Sequence, residues 1–148
     1  MKNSIITKTS WGEELDSQRE YYIEDEEVRW TVSITAELVN NLNIPEDIIE
    51  SLSDNFNIDK KDLVVELDWF FPNILKNPEE WASLKHGEMW IWRWGKILKE
   101  IESDMRDEWK TTLFCITWEV SMINFLRKNS FKEIETDSFP QRFFLKII

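Results

Sequence analysis

One cysteine, one histidine, three glycines and four prolines stand among 148 residues, and each shortage closes off a class of chemistry. A lone thiol, Cys115, cannot form an internal disulfide or a multi-cysteine zinc site. Its presence fits a reducing compartment, so a cytoplasmic location is expected. A lone imidazole, His86, rules out multi-histidine metal centres, including paired Glu-x-x-His arrangements; Ser83 stands three residues before it. The glycines are isolated and no Gly-Lys-Ser/Thr follows one, so no phosphate-cradling loop is present. Long apolar runs are missing too. The stretch Leu113 to Leu126 is interrupted by Thr117, Glu119, Ser121 and Asn124, which makes it too short and too polar to cross a bilayer. The amino-terminal residues show no secretory signal pattern.

What is present is acid and aromatic surface. The chain carries a net charge of −11, is 42% hydrophobic and is 14% aromatic. That composition is globular, and the length suits a single domain, 1–148, able to bury a substantial core. The charge is unevenly spread. Residues 1–68 hold 17 acids and six bases, while residues 69–148 are balanced and hold seven of the nine tryptophans. An acidic region 1–68 therefore precedes a neutral, Trp-rich region 69–148. Scarce Gly and Pro favour helices over a turn-rich sandwich.

Periodicity places the elements. Val28 to Thr35 alternates apolar and polar, which predicts a strand at about 28–34, followed by a short helix from Ala36 to Asn41. Pro45-Glu46-Asp47 opens a helix whose face is Ile48, Ile49, Leu52 and Phe56. Leu63, Val64, Leu67, Phe70, Phe71 and Ile74 recur at helical spacing, which predicts another helix after Asp59. Trp81 to Ile101 reads as a helical region with Trp90 and Trp94 on its buried face and Trp92 off it. The strongest pattern runs from Asp104 to Lys128. Met105, Trp109, Leu113, Ile116, Val120 and Ile123 form one stripe, and Phe114, Trp118, Met122 and Phe125 a second. Two stripes predict a central helix with neighbours on most sides. Arg142 to Ile148 is β-prone and predicts a terminal strand at about 142–148, paired with 28–34 in a small sheet. The expected fold is thus mainly α (α+β in minor part): a compact helical domain around a buried helix at about 104–128.

No constellation signals catalysis. Cys115 sits between Phe114 and Ile116 and reads as a buried apolar side chain rather than a nucleophile. His86 beside Gly87 reads as a loop or surface residue. Asp54-Asn55-Phe56-Asn57-Ile58-Asp59 lacks the glycine and ligand spacing of a calcium loop. With 29 acids, no carboxylate pair stands out. No enzyme, cofactor or metal is expected.

The acids themselves are the candidate site. Glu13, Glu14, Asp16, Glu20, Glu24, Asp25, Glu26 and Glu27 crowd one segment, and Glu46, Asp47, Glu50 and Asp54 lie on the next helix. Such density must remain solvated or meet cations. It repels nucleic acid and anionic membranes and favours a basic protein partner. Trp92, beside Arg93, is a candidate apolar anchor. These features predict an acidic protein-binding inhibitor, an immunity protein or antitoxin that occludes the cationic site of a nuclease-like toxin. Two alternatives share the composition: a phage-encoded mimic of nucleic acid, and a helical adaptor or structural subunit that binds through its tryptophans.

Overall fold

The computed structural model describes residues 6–11, 17–24, 28–69, 73–74, 87–137 and 140–148. Its elements in chain order are β1 (Thr7–Lys8), β2 (Ser17–Glu24), β3 (Val28–Leu38), a 3-10 turn (Val39–Asn41), α1 (Glu46–Phe56), β4 (Leu63–Trp69), β5 (Asn73–Ile74), α2 (Gly87–Asp107), β6 (Thr112–Thr117), α3 (Val120–Lys128), β7 (Lys132–Ile134) and β8 (Arg142–Ile147). The strands form one mixed sheet in the order β1-β2-β3-β4-β6-β8-β7, with β5 paired to the start of β3. Among the described strands the β4–β6 pair alone is parallel, and every other neighbouring pair runs antiparallel.

The sheet has two unlike faces. On the first, Tyr21, Ile23, Trp30, Val32, Ile34, Val65, Leu67, Leu113, Cys115 and Phe144 meet Trp94, Ile97, Leu98, Ile101 and Met105 of α2 and Met122, Ile123, Phe125 and Leu126 of α3. Trp30 and Trp94 meet edge to face at the centre, ring centroids 6.3 Å apart. On the second face, Ile48 and Leu52 of α1 pack with Val64, Phe114, Phe143, Leu145 and Ile134. This second core covers the β4-β6-β8-β7 half. The β2-β3 part of the same face carries polar side chains instead, since Tyr21, Ile23, Trp30, Val32 and Ile34 all point the other way.

The mainly helical expectation is therefore overturned: a large mixed sheet organises the fold, and the described residues include three helices that flank it. The predicted helix at 104–128 divides into the end of α2, strand β6 and helix α3. Leu113 and Cys115 point to α2 and α3, while Phe114 points to the α1 side. A strand covered on both faces is apolar at every position, so its own alternation is lost and two helical stripes can be drawn through it. Strand β4 imitates a helix for a narrower reason: Val65 and Leu67 face one core and Val64 the other, so Leu63, Val64 and Leu67 fall at helical spacing even though Glu66 and Asp68 lie on a polar face. The segment from Ala36 continues β3 to Leu38 before a single 3-10 turn.

Other expectations hold. The strand at 28–34 is the core of β3, the terminal strand is β8, and α1 begins where Pro45 predicts. Asn57 ends α1 in the left-handed conformation, φ 55°, which asparagine tolerates better than most residues. The strands β3 and β8 share the sheet but do not touch, because β4 and β6 lie between them. Among the described residues no helix is long and apolar enough to cross a membrane.

Candidate functional site

Strand register builds a row of carboxylates that no contiguous segment of sequence contains. On the polar face, Glu20 of β2, Ser33 of β3 and Asp68 of β4 lie directly opposite one another, as do Gln18, Thr35 and Glu66 in the next row. Glu37 is opposite Val64, one diagonal step from Glu66. Such diagonal neighbours are about 7–8 Å apart, within reach of long side chains. Glu24 completes the set at the far end of β2, opposite Arg29. Five acids thus share the polar face of three adjacent strands. Arg29 is the one base on that face among the described residues of those strands, and it is already engaged, 3.0 Å from Glu24 and stacked 4.6 Å over Tyr22.

The electrostatic consequence appears at Glu66. Partial burial, the hydrogen bond with Glu37 and the nearby charge of Asp68 push its carboxyl up to about 7. Near neutrality Glu66 therefore keeps its proton far more readily than an ordinary carboxyl and shares it with Glu37. Among the described residues no lysine or arginine approaches Glu20, Glu37, Glu66 or Asp68 as an ion-pair partner.

The acids elsewhere in the domain are treated differently. On the helical side, Asp104 of α2 receives the Lys8 ammonium at 2.8 Å and the Tyr21 hydroxyl at 2.7 Å. Burial alone would raise the Asp104 carboxyl, but the Lys8, Tyr21 and Arg19 contacts outweigh it and hold it below the usual range. Glu108 accepts from Arg19 at 3.0 Å and from the Trp11 indole at 2.6 Å. Glu133 takes a two-pronged contact from Arg142 at 2.6 and 2.7 Å and another from Arg127 at 2.9 Å. These carboxylates tie elements together, whereas among the described residues those on the polar sheet face meet a cation only where Glu24 pairs with Arg29.

Helix α1 lies on the same face and extends the negative surface. Glu46, Glu50 and Asp54 step by four along its exposed side. Lys60 stands 3.8 Å from Glu46. Asp47 is committed to structure: it accepts from the Thr136 hydroxyl at 2.7 Å and the Asp137 amide at 3.4 Å, and the Thr136 bond holds its carboxyl below the usual range. Beside it opens a shallow cleft of about 540 Å³ lined by Glu133, Glu135, Asp137, Gln141 and Arg142.

Of the residues predicted from sequence, Glu20 and Glu24 fall on the polar sheet face, and Glu46, Asp47, Glu50 and Asp54 on α1. Glu13, Glu14, Asp16, Asp25, Glu26 and Glu27 lie outside the described residues, as does His86. Trp92 lies within α2, with its side chain outside the described set. Cys115 is fully buried in the first core. Sequence reading missed Glu37, Glu66 and Asp68. Glu66 and Asp68 are two apart, the spacing that shares a strand face, but the helical reading of 63–74 set them on different faces. Among the described residues no three acids, cysteines or histidines gather closely enough to hold a metal ion. Comparison with protein-family models, with curated proteins and with solved structures finds no match.

Proposed function

We propose that this protein is an acidic protein-binding inhibitor, of the kind that neutralises a basic toxin, and that it docks through the polar face of β2, β3 and β4 together with the exposed side of α1. The observation that carries this reading is the set Glu20, Glu24, Glu37, Glu66 and Asp68, held on one sheet face where, among the described residues of those strands, Arg29 is the one base and is already engaged. A sheet presents its carboxylates at fixed intervals of about 4.8 Å between strands and 6.6 Å along one face. Preorganised carboxylates steer a cationic surface into place and exclude like-charged competitors. A nuclease or nucleic-acid-binding partner holds phosphate with lysine and arginine, and such a surface covers those groups with carboxylates in place of phosphates.

The test uses the intact chain as immobilised bait in a lysate of its own source. Wild type retains basic proteins at low salt and releases them as salt rises. The double charge reversal Glu20→Lys with Asp68→Lys, both at exposed positions, should lose that set. Equal retention by the two baits refutes the assignment of the surface. For a purified partner, the association rate should fall at least tenfold in the double variant at low salt, the usual scale of steering.

A further inference from the structure

We infer that the end of the sheet at which β4 and β6 begin is a self-association surface, with Trp109 as its anchor and a second copy of this chain as its occupant. Trp109 is 90% exposed, the most exposed large hydrophobic side chain among the described residues. Its backbone is left-handed, φ 61°. It occupies the position after α2 that glycine favours: the Lys110 amide reaches back to the Met105 carbonyl at 2.8 Å and the Trp109 amide to the Arg106 carbonyl at 3.2 Å. A tryptophan is disfavoured there by its backbone and gains nothing by burial, so the monomer alone supplies no reason for it.

The residues on either side hold it outward. Glu108 is fixed by Arg19 and by the Trp11 indole, and Lys110 lies 5.1 Å over the Trp11 ring. The backbone that carries Trp109 is therefore fixed before anything covers the indole, so only side-chain freedom is lost on contact. Trp109 is not alone. Leu38 and Leu63 are exposed and directly paired across β3 and β4, and Ile147 is exposed opposite Thr112 at the start of β6. Four of the six exposed large hydrophobics among the described residues thus belong to one end of the sheet.

Charge selects the occupant. Two copies of a chain bearing −11 repel, and a basic protein is drawn to the carboxylate face rather than to this end. Here the flanking charges cancel: Asp59 and Asp62 against Lys60 and Lys61 before Leu63, and Asp107 against Arg106 before Trp109. A neutral rim of mixed sign around apolar side chains is self-complementary, as a two-fold interface requires. The contact is small, so the dimer is weak and forms at high protein concentration.

Sedimentation velocity over a concentration series tests this with the whole chain. The weight-average mass of wild type should climb from 17.9 kDa toward twice that value, and further at high salt, where the net charge is screened. Trp109→Gly should weaken association at least tenfold. At concentrations where both proteins are monomeric, the same variant should unfold about 2–4 °C higher, because glycine suits the left-handed position. Leu63→Glu should also weaken association, without that gain. Glu20→Lys with Asp68→Lys should leave the apolar contact in place and dimerise at least as well as wild type, so loss of partner docking and loss of self-association are separable. A wild type that stays monomeric at every concentration and salt, or a Trp109→Gly variant that associates as wild type does, overturns the proposal. So does a Trp109→Gly variant that is less stable than wild type, since the side chain would then serve the monomer.

Discussion

Replacing Glu66 by glutamine should make the protein more stable at pH 8 and leave it almost unchanged at pH 5. The carboxyl is raised from an ordinary 4.5 to about 7 by partial burial, by the hydrogen bond with Glu37 and by the charge of Asp68. The folded state therefore binds this proton more tightly than the unfolded chain does. The favourable contribution is complete below about pH 4.5 and drains away as pH rises through about 7. Taken at face value the shift corresponds to about 3 kcal/mol. Glu66 is only partly shielded from water, so about 1–2 kcal/mol is the expected size. Glutamine is the neutral form made permanent, and its amide still donates to Glu37. The assay is urea unfolding of wild type and Glu66→Gln side by side at pH 5, 6, 7 and 8, since titrations remote from the carboxylate cluster cancel in the difference. The difference should grow with pH and level off above about pH 8. A variant less stable than wild type at pH 8, or a gap that does not vary with pH, would refute the account of the carboxylate cluster.

Other outcomes follow from the same geometry. A cationic partner seated on this face should expel the Glu66 proton, so its affinity should rise between pH 6 and 8 in wild type and not in Glu66→Gln, as titration calorimetry would detect. Lys146 pairs with the buried carboxylate of Glu102, so Lys146→Met should cost about 3 kcal/mol in urea unfolding, with much of it restored by Glu102→Leu in the same chain. Phe114 is fully buried between β6 and α1, and Phe114→Ala should cost about 3–5 kcal/mol; a loss below 1 kcal/mol would argue against the two-faced sheet. Cys115 is equally buried, and its thiol should react with a soluble disulfide reagent only at the rate of unfolding.

Three elements were legible because their local pattern matches their final environment. Strand β3 buries one face along most of its length, so Trp30, Val32, Ile34 and Ala36 alternate with polar residues. Helix α1 buries a single stripe and has a proline at its start. Strand β8 is short, β-branched and aromatic at the end of the described chain. Strand β6 was not legible, because helices lie on both sides of it and Leu113 to Ile116 is apolar without a break; in β4 the alternation marked by Glu66 and Asp68 covers only the second half, since Val64 faces the α1 core from the same side. Trp109 and Trp118 were assigned to buried stripes for the same reason. With the 104–128 region divided, they fall outside the helices and are 90% and 61% exposed.

The sequence by itself determined what chemistry is missing and where the charge resides: one thiol, one imidazole and an acidic front half follow from composition and need no fold. Tertiary structure decided which acids act together. Glu20, Glu37, Glu66 and Asp68 come from three strands and become neighbours only through strand pairing, and register between strands is a long-range property that no local window of sequence contains.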